Sequence, residues 1–162
     1  MLNPDSYHRS VVDIDLAGLA ADEVDTLLID LDNTLLPRDG SAIPDEIRVW
    51  AAGLDAAGFR ACLVSNNWHR RVSEVADDLG FGLVSKAVKP LPFAFMLALK
   101  RTGSSRSRAA VIGDQLFTDI LGGKLMGMRT ILIEPLCSAD LPHTLFLRRI
   151  ERVLLAGRNP LP

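Results

Sequence analysis

Short apolar runs alternate with amphipathic stretches along this chain, and glycine or proline marks most of the junctions. Thr26 to Leu31 is an apolar run that ends among carboxylates, the pattern of a parallel strand buried on both faces. Phe59 to Ser65, the residues around Val84, Ala109 to Ile112 and Thr130 to Ile133 predict further strands. Between the first two, Pro44 opens a helix to about Ala57, with Ile47, Trp50, Ala51 and Leu54 on one face and Gly58 as its stop. Helices are also predicted from Trp68 to Leu79, from Phe93 to Arg101 behind Pro90 and Pro92, and from Asp119 to Met126 ahead of Gly127. Pro37 to Ser41 and Arg106 to Arg108 read as turns. Residues 143–157 carry an apolar and an arginine-rich face and predict a C-terminal amphipathic helix, packed on the sheet or, as the alternative, lying on an anionic membrane surface.

Strands alternating with helices through short connections predict an α/β fold with a doubly wound, mostly parallel sheet. With 162 residues, the expectation is one domain over 1–162, without room for a large second domain. The net charge of −2 removes the broad basic footprint that nucleic-acid binding needs, so no nucleic-acid partner is expected. Two cysteines exclude a disulfide scaffold and a four-cysteine zinc site. No run approaches the roughly 18–20 apolar residues of a membrane span, and the first ten residues lack the apolar core of a signal peptide. The expectation is therefore a soluble, cytoplasmic chain.

Ligands of open parallel sheets bind outside the carboxyl ends of the strands. The first predicted strand ends Asp30-Leu31-Asp32-Asn33-Thr34, and strand alternation puts Asp30 and Asp32 on one side. Two such carboxylates repel unless a cation or a proton intervenes, and Mg²⁺ prefers oxygen ligands. The second ends Ser65-Asn66-Asn67, a hydroxyl and amides able to donate to an oxyanion. Lys86 and Lys89 follow the third, with Lys89 held extended by Pro90. The fourth ends Gly113-Asp114, and Asp119 stands where the next helix begins. Taken singly, these read as turns, solvated lysines and helix caps. Together they converge on one edge of a parallel sheet.

Other features carry less. His8, His69 and His143 lack ligand spacing, although His69 follows the Ser65 loop. Cys62 and Trp50 are expected in the core and Cys137 in an exposed loop, while Trp68 fits either the core or the mouth of a site. Leu121 to Leu125 lacks the glycine and the Ser or Thr of a phosphate-binding Walker loop; Gly122 and Gly123 instead predict close packing of a helix on the sheet.

In order and spacing these residues resemble the haloacid dehalogenase (HAD) superfamily of phosphatases. Asp30 to Thr34 is similar to its DxDxT motif, Ser65 to its second motif, Lys89 to its third and Gly113 to Asp119 to its fourth. Among the two lysines, Lys89 fits because Pro90 follows it. DLDNTL, SNNW, KAVKP and GDQLFTD with Gly122-Gly123, then Arg129 to Leu132, and Pro4, Tyr7 and Asp13-Ile14 near the start, resemble the YqeG-like branch, which is similar to mitochondrial phosphatidylglycerophosphatases.

The resemblance implies an HAD-like Rossmannoid fold and a phosphomonoesterase. Asp30 would be the nucleophile and Asp32 the acid and base. Ser65, Lys89 and Asn66 would hold the phosphate. Mg²⁺ would be bound by Asp30, Asp114 and the Asp32 carbonyl, and Asp119 would orient the metal waters or Lys89. Only a helix and turn separate Asp32 from Ser65, and a helix and strand separate Ser65 from Lys89, so the domain is expected to be essentially uncapped. An open site suits a phosphate on something large, such as a membrane lipid met at the inner face of the membrane, or a site closed by a second copy of the chain. The competing reading is a binding or regulatory module on the same scaffold without turnover.

Overall fold

The computed structural model describes residues 2–40, 42–137 and 159–161, so the helix expected over 143–157 lies outside the described residues. Six strands form one sheet: β1 (Ser6–His8), β2 (Thr26–Ile29), β3 (Arg60–Val64), β4 (Gly82–Val84), β5 (Ala109–Gly113) and β6 (Arg129–Ile133). Their spatial order is β1-β6-β5-β2-β3-β4, and every pairing is parallel. From β2 the chain winds one way through β3 and β4, then crosses back to β5 and β6. The strand order therefore reverses between β2 and β5, the place where open α/β sheets form a crevice.

Both faces of the sheet are covered, and the strand residues divide by parity. Leu27, Ile29, Leu63 and Ile112 pack in one cluster with Leu19 of α1 (Leu16–Ala21), Ile47 and Leu54 of α2 (Asp45–Ala56), and Val72 and Val75 of α3 (Arg70–Leu79). Leu28, Cys62, Val64 and Val111 face the other way, onto Ala94, Phe95, Ala98 and Leu99 of α4 (Pro92–Thr102). Burial on both faces is why these strands read as continuous apolar runs rather than alternating ones. The chain from Leu116 to Ile120 makes a π-helical turn that leads into α5 (Leu121–Leu125). A Cβ on Gly122 would collide with the Phe95 ring, and one on Gly123 would lie 2.6 Å from Thr130 Cγ2, so both glycines serve the close packing expected of them.

The N-terminal region was not legible as regular structure. β1 is only three residues long, but it pairs with β6, and Asp5 anchors it by accepting from the Thr130 amide at 2.8 Å and from Lys124 at 2.6 Å. No described helix is long and apolar enough to cross a membrane.

Candidate active site

The carboxyl ends of β2, β3 and β5 and the loop after β4 bring the predicted residues together. β2 ends at Ile29, and the Asp30 amide extends its ladder by one bond to the Ile112 carbonyl at 2.8 Å. Asn33 then turns the chain with a left-handed backbone (φ 64°), and its amide donates to the Leu36 carbonyl at 2.7 Å. On the lysine loop, Lys86 and Val88 both take φ 52°. That conformation is an outlier for a β-branched residue and marks stored strain. It leaves Val88 exposed while Lys89 is turned into the protein. The Lys89–Pro90 peptide is cis.

Lys89 is the centre of the site. Its ammonium donates to Asp30 Oδ1 and to Asp119 Oδ1, each at 2.6 Å, and all three side chains are nearly sealed from solvent. Lys86 is exposed instead, 5.9 Å from the Trp68 ring. Asp119 Oδ2 accepts from the Gln115 amide at 3.2 Å, and its side chain fills the space that a Cβ on Gly113 would occupy. The glycine of the Gly-Asp pair is thus required by the carboxylate five residues beyond the Asp. Thr34 Oγ1 sits 3.5 Å from both Asp30 Oδ2 and Asp114 Oδ1.

Asp30, Asp114 and Asp119 each present an oxygen, all within 4.8 Å of one another. These four side chains together carry three carboxylates and one ammonium, a formal sum of two negative charges in a buried place. Hard oxygen donors and that charge fit a divalent cation such as Mg²⁺. Burial pushes the Asp30 carboxyl up to about 6 against the pull of the Lys89 charge, with Asp119 and Asp32 adding to the rise. Burial disfavours the charged lysine too, but Asp119 and Asp30 outweigh it and hold Lys89 well above its ordinary range.

The remaining predicted residues surround this centre. Ser65 is buried, and its Oγ accepts from the Asn67 amide at 3.1 Å. Asn66 Oδ1 accepts the Lys89 amide at 2.7 Å, so it ties the Ser65 loop to the lysine loop. The Asp32 carboxylate does not share the partners of Asp30, because the strand has already ended and Asp32 lies in the turn. Its Oδ1 accepts from Arg71 Nη1 at 3.0 Å and its Oδ2 from Asn67 Nδ2 at 3.4 Å.

Arg71 is a functional candidate that sequence reading did not single out, and Asn67, read there as one of the amides facing an oxyanion, instead meets the Asp32 carboxylate. Arg71 lies in the first turn of α3, where the helix dipole disfavours a cation, and that misplacement is the signal it left in the sequence. Trp68 is largely exposed beside the site rather than in the core, tilted against His69 at 5.8 Å. Cys137 is half-buried and donates to Asn33 Oδ1 at 3.0 Å, not an exposed loop thiol, because the end of β6 returns it to the Asn33 turn. Cys62 is buried among apolar neighbours, which pushes its thiol up to about 11 and leaves it inert. A cleft of about 530 Å³ lined by Asp55, Arg60, Gly82 and Arg101 opens near the beginnings of β3 and β4 and includes none of these groups.

Comparison with known proteins agrees with this geometry. A family described as HAD-hydrolase-like matches residues 87–135. The chain is 35% identical to the probable phosphatase YqeG of Bacillus subtilis over 154 residues, which is 95% of this chain and 90% of that protein. Its fold is similar to the cobalt-bound deoxy-D-mannose-octulosonate 8-phosphate phosphatase of Haemophilus influenzae (TM-score 0.57, 15% identity, 83% of this chain and 88% of that one). It is also similar to the 3-deoxy-D-manno-octulosonate 8-phosphate phosphatase of Moraxella catarrhalis, solved with magnesium, phosphate and KDO (TM-score 0.52, 19% identity, 63% of each chain).

Proposed function

The chain belongs to the HAD-like phosphatases, in their YqeG-like branch, and we propose that it hydrolyses phosphomonoesters with Mg²⁺ through an aspartyl-phosphate on Asp30. The observation that carries this reading is the Lys89 ammonium bridging Asp30 and Asp119 at 2.6 Å, inside a group of three carboxylates at the strand-order reversal. An oxygen of Asp30 attacks phosphorus as the bond to the leaving oxygen breaks, and Asp32 gives that oxygen its proton. Water then attacks the same phosphorus, Asp32 takes the water proton, and inorganic phosphate leaves Asp30. Proton transfer of this kind contributes about 10²–10⁴-fold.

Lys89 offsets the repulsion between a carboxylate and a phosphate, and Ser65 and Asn66 donate to the phosphate oxygens. Asp30, Asp114 and the Asp32 carbonyl would hold Mg²⁺, with Asp119 orienting its waters or Lys89. The ion supplies charge neutralisation at the reacting phosphate. Hydrolysis of p-nitrophenyl phosphate, with Mg²⁺ and with a chelator, tests the assignment alongside Asp30→Asn. Equal activity in wild type and variant would overturn it.

The natural substrate we propose is phosphatidylglycerophosphate, met at the cytoplasmic face of a membrane. The resemblance to that branch supports it, as does the openness of the site. The chain from Asp32 to Ser65 contains only a turn and α2 before β3, and that from Ser65 to Lys89 only α3 and β4. Trp68, Val88, Leu91 and Phe93 are each more than half exposed around the same loops, an apolar rim compatible with an amphiphile. Turnover of this lipid in vesicles should exceed that of soluble sugar and nucleotide phosphates; the reverse preference rejects the lipid.

A further inference from the structure

We infer that Arg71 is the positioning residue for the Asp32 acid, and that it divides the work of the two carboxylate oxygens. The inference rests on the reading of Asp32 as general acid. Arg71 is held from two sides at once. Its Nη1 donates to the Arg38 carbonyl at 3.0 Å and its Nη2 to the Pro37 carbonyl at 2.9 Å, while Nη1 also faces Asp32 Oδ1 at 3.0 Å. The guanidinium thus joins α3 to the turn that carries Asp32, and the turn is itself closed by the Asp32–Leu36 bridge and by Arg38 N donating to Asn33 Oδ1 at 3.3 Å. A planar fork fixed by two carbonyls can orient a carboxylate; a lysine, with one rotating point charge, cannot reproduce both contacts.

The two oxygens of Asp32 are not equivalent. Oδ1 is committed to Arg71. Among the described residues, Oδ2 meets only the longer contact from Asn67 Nδ2 at 3.4 Å. The orientation of that amide is fixed by its other end, since Asn67 Oδ1 accepts from the His69 amide at 3.1 Å. Oδ2 is therefore the oxygen available to carry a proton to the leaving group. Arg71 has no role as the donor, because a guanidinium keeps its protons. It holds the acid through Oδ1, while the Lys89 ammonium is taken by Asp30 and Asp119.

A positioning role makes a specific prediction about leaving groups. Nitrophenolate leaves without a proton, while an alkoxide needs one. Arg71→Gln should slow release of the alcohol from an alkyl phosphate such as glycerol phosphate, read by rapid quench within the first turnover, by roughly 10–10²-fold, the scale of a misplaced catalytic group. It should change the first-turnover burst of nitrophenolate from p-nitrophenyl phosphate by less than about threefold, while the later release of phosphate, for which Asp32 is the base, slows alike for both substrates. Arg71→Lys should fall between wild type and Arg71→Gln on the alkyl substrate, and it also guards against misfolding of the glutamine variant, which thermal melting checks. In an Asp32→Asn background, Arg71→Gln should add almost no further loss, since residues acting as a unit are not additive.

Equal losses of the first-turnover rate on both substrates, or additive losses in the double variant, would overturn the inference. If Asp32→Asn itself showed no leaving-group selectivity in that first step, the fault would lie in the assignment of Asp32, a result separable from failure at Arg71.

Discussion

The two ends of strand β2 each carry a buried or half-buried carboxylate in contact with cations, and they behave as opposites. At the start of the strand, Asp25 accepts from Arg60 at 2.9 Å, from Arg108 at 2.7 and 2.9 Å, from Thr26 at 2.8 Å and from Ser104 at 3.2 Å. One carboxylate is met by two guanidinium groups whose side chains are about half exposed. At the other end, the Lys89 ammonium meets two carboxylates, Asp30 and Asp119, and an oxygen of Asp114 lies within 4.8 Å of theirs, all nearly sealed from water. The first arrangement has one positive charge in excess, carried on half-exposed guanidinium groups that water can solvate, and it joins the beginnings of β2, β3 and β5. The second carries surplus negative charge in a place where water cannot offset it. Charge imbalance combined with burial distinguishes a site from a staple; the mere presence of ion pairs does not.

The strongest way to break this comparison is to neutralise one carboxylate at each end. Asp30→Asn should abolish turnover, with a loss of at least about 10³-fold, since in the proposed mechanism Asp30 is the group that forms the covalent intermediate. Asp25→Asn should keep kcat on p-nitrophenyl phosphate within about twofold of wild type. Steady-state rates in Mg²⁺ check both, and a large loss in Asp25→Asn would show that the two ends are coupled.

A second variant tests the imbalance itself. Lys89→Met leaves Asp30 and Asp119 facing each other without a cation, and breaking a buried pair this way costs about 3–5 kcal/mol. The cost should be largest in chelator and should shrink when Mg²⁺ is added, because a ligand that binds only the folded state stabilises it by about 2.7 kcal/mol at one hundred times its Kd. Thermal melting with EDTA and with Mg²⁺ reads this directly. A Lys89→Met protein indifferent to Mg²⁺ would mean that the three carboxylates do not bind it. Turnover should also fall by about 10²–10³-fold, the scale of losing one donor to a developing anion.

The contrast also explains what could be read from sequence. Asp30, Ser65, Lys89 and Asp114 were legible because each follows an apolar run, and a parallel sheet brings strand ends to one edge whatever the side chains between. The sheet itself was legible for the same reason: strands such as Thr26–Ile29 are buried on both faces. Arg71 was not, because its role depends on a turn that folds back over α3, a contact across 39 positions that no local pattern encodes. The helix expected from Asp119 instead begins with a π-turn at Leu116, which moves Asp119 inward against Gly113 and onto Lys89. Three-residue β1 carries too few side chains to show a period, and its place is fixed by Asp5 and Thr130 far apart in the chain.

At the Asp25 end of β2, the effect of mutation should be on stability alone and should be small. Asp25→Ala removes hydrogen bonds from Thr26 and Ser104 and two partly exposed ion pairs, worth together about 1–2 kcal/mol after solvent screening. For a domain of this size that corresponds to a drop in Tm of roughly 2–8 °C.

The smallest effect is the dependence of that difference on pH, and its sign separates the two ends. Burial by itself would raise the Asp25 carboxyl, but the hydrogen bonds from Thr26 and Arg108 and the charges of Arg108 and Arg60 outweigh it and hold it below the ordinary value. A carboxyl whose folded pKa is depressed stabilises the folded state fully above its unfolded pKa of about 3.9, and the contribution disappears as pH falls through the folded pKa. The stability gap between wild type and Asp25→Asn should therefore be flat from pH 8 to about pH 5 and close only below about pH 4. Denaturant titrations at several pH values measure it. Because both arginines are half exposed, added salt should narrow the gap at neutral pH. A gap that instead opened on acidification would mean that Asp25 is held up, like Asp30, rather than down, and the distinction between the two ends of β2 would fail.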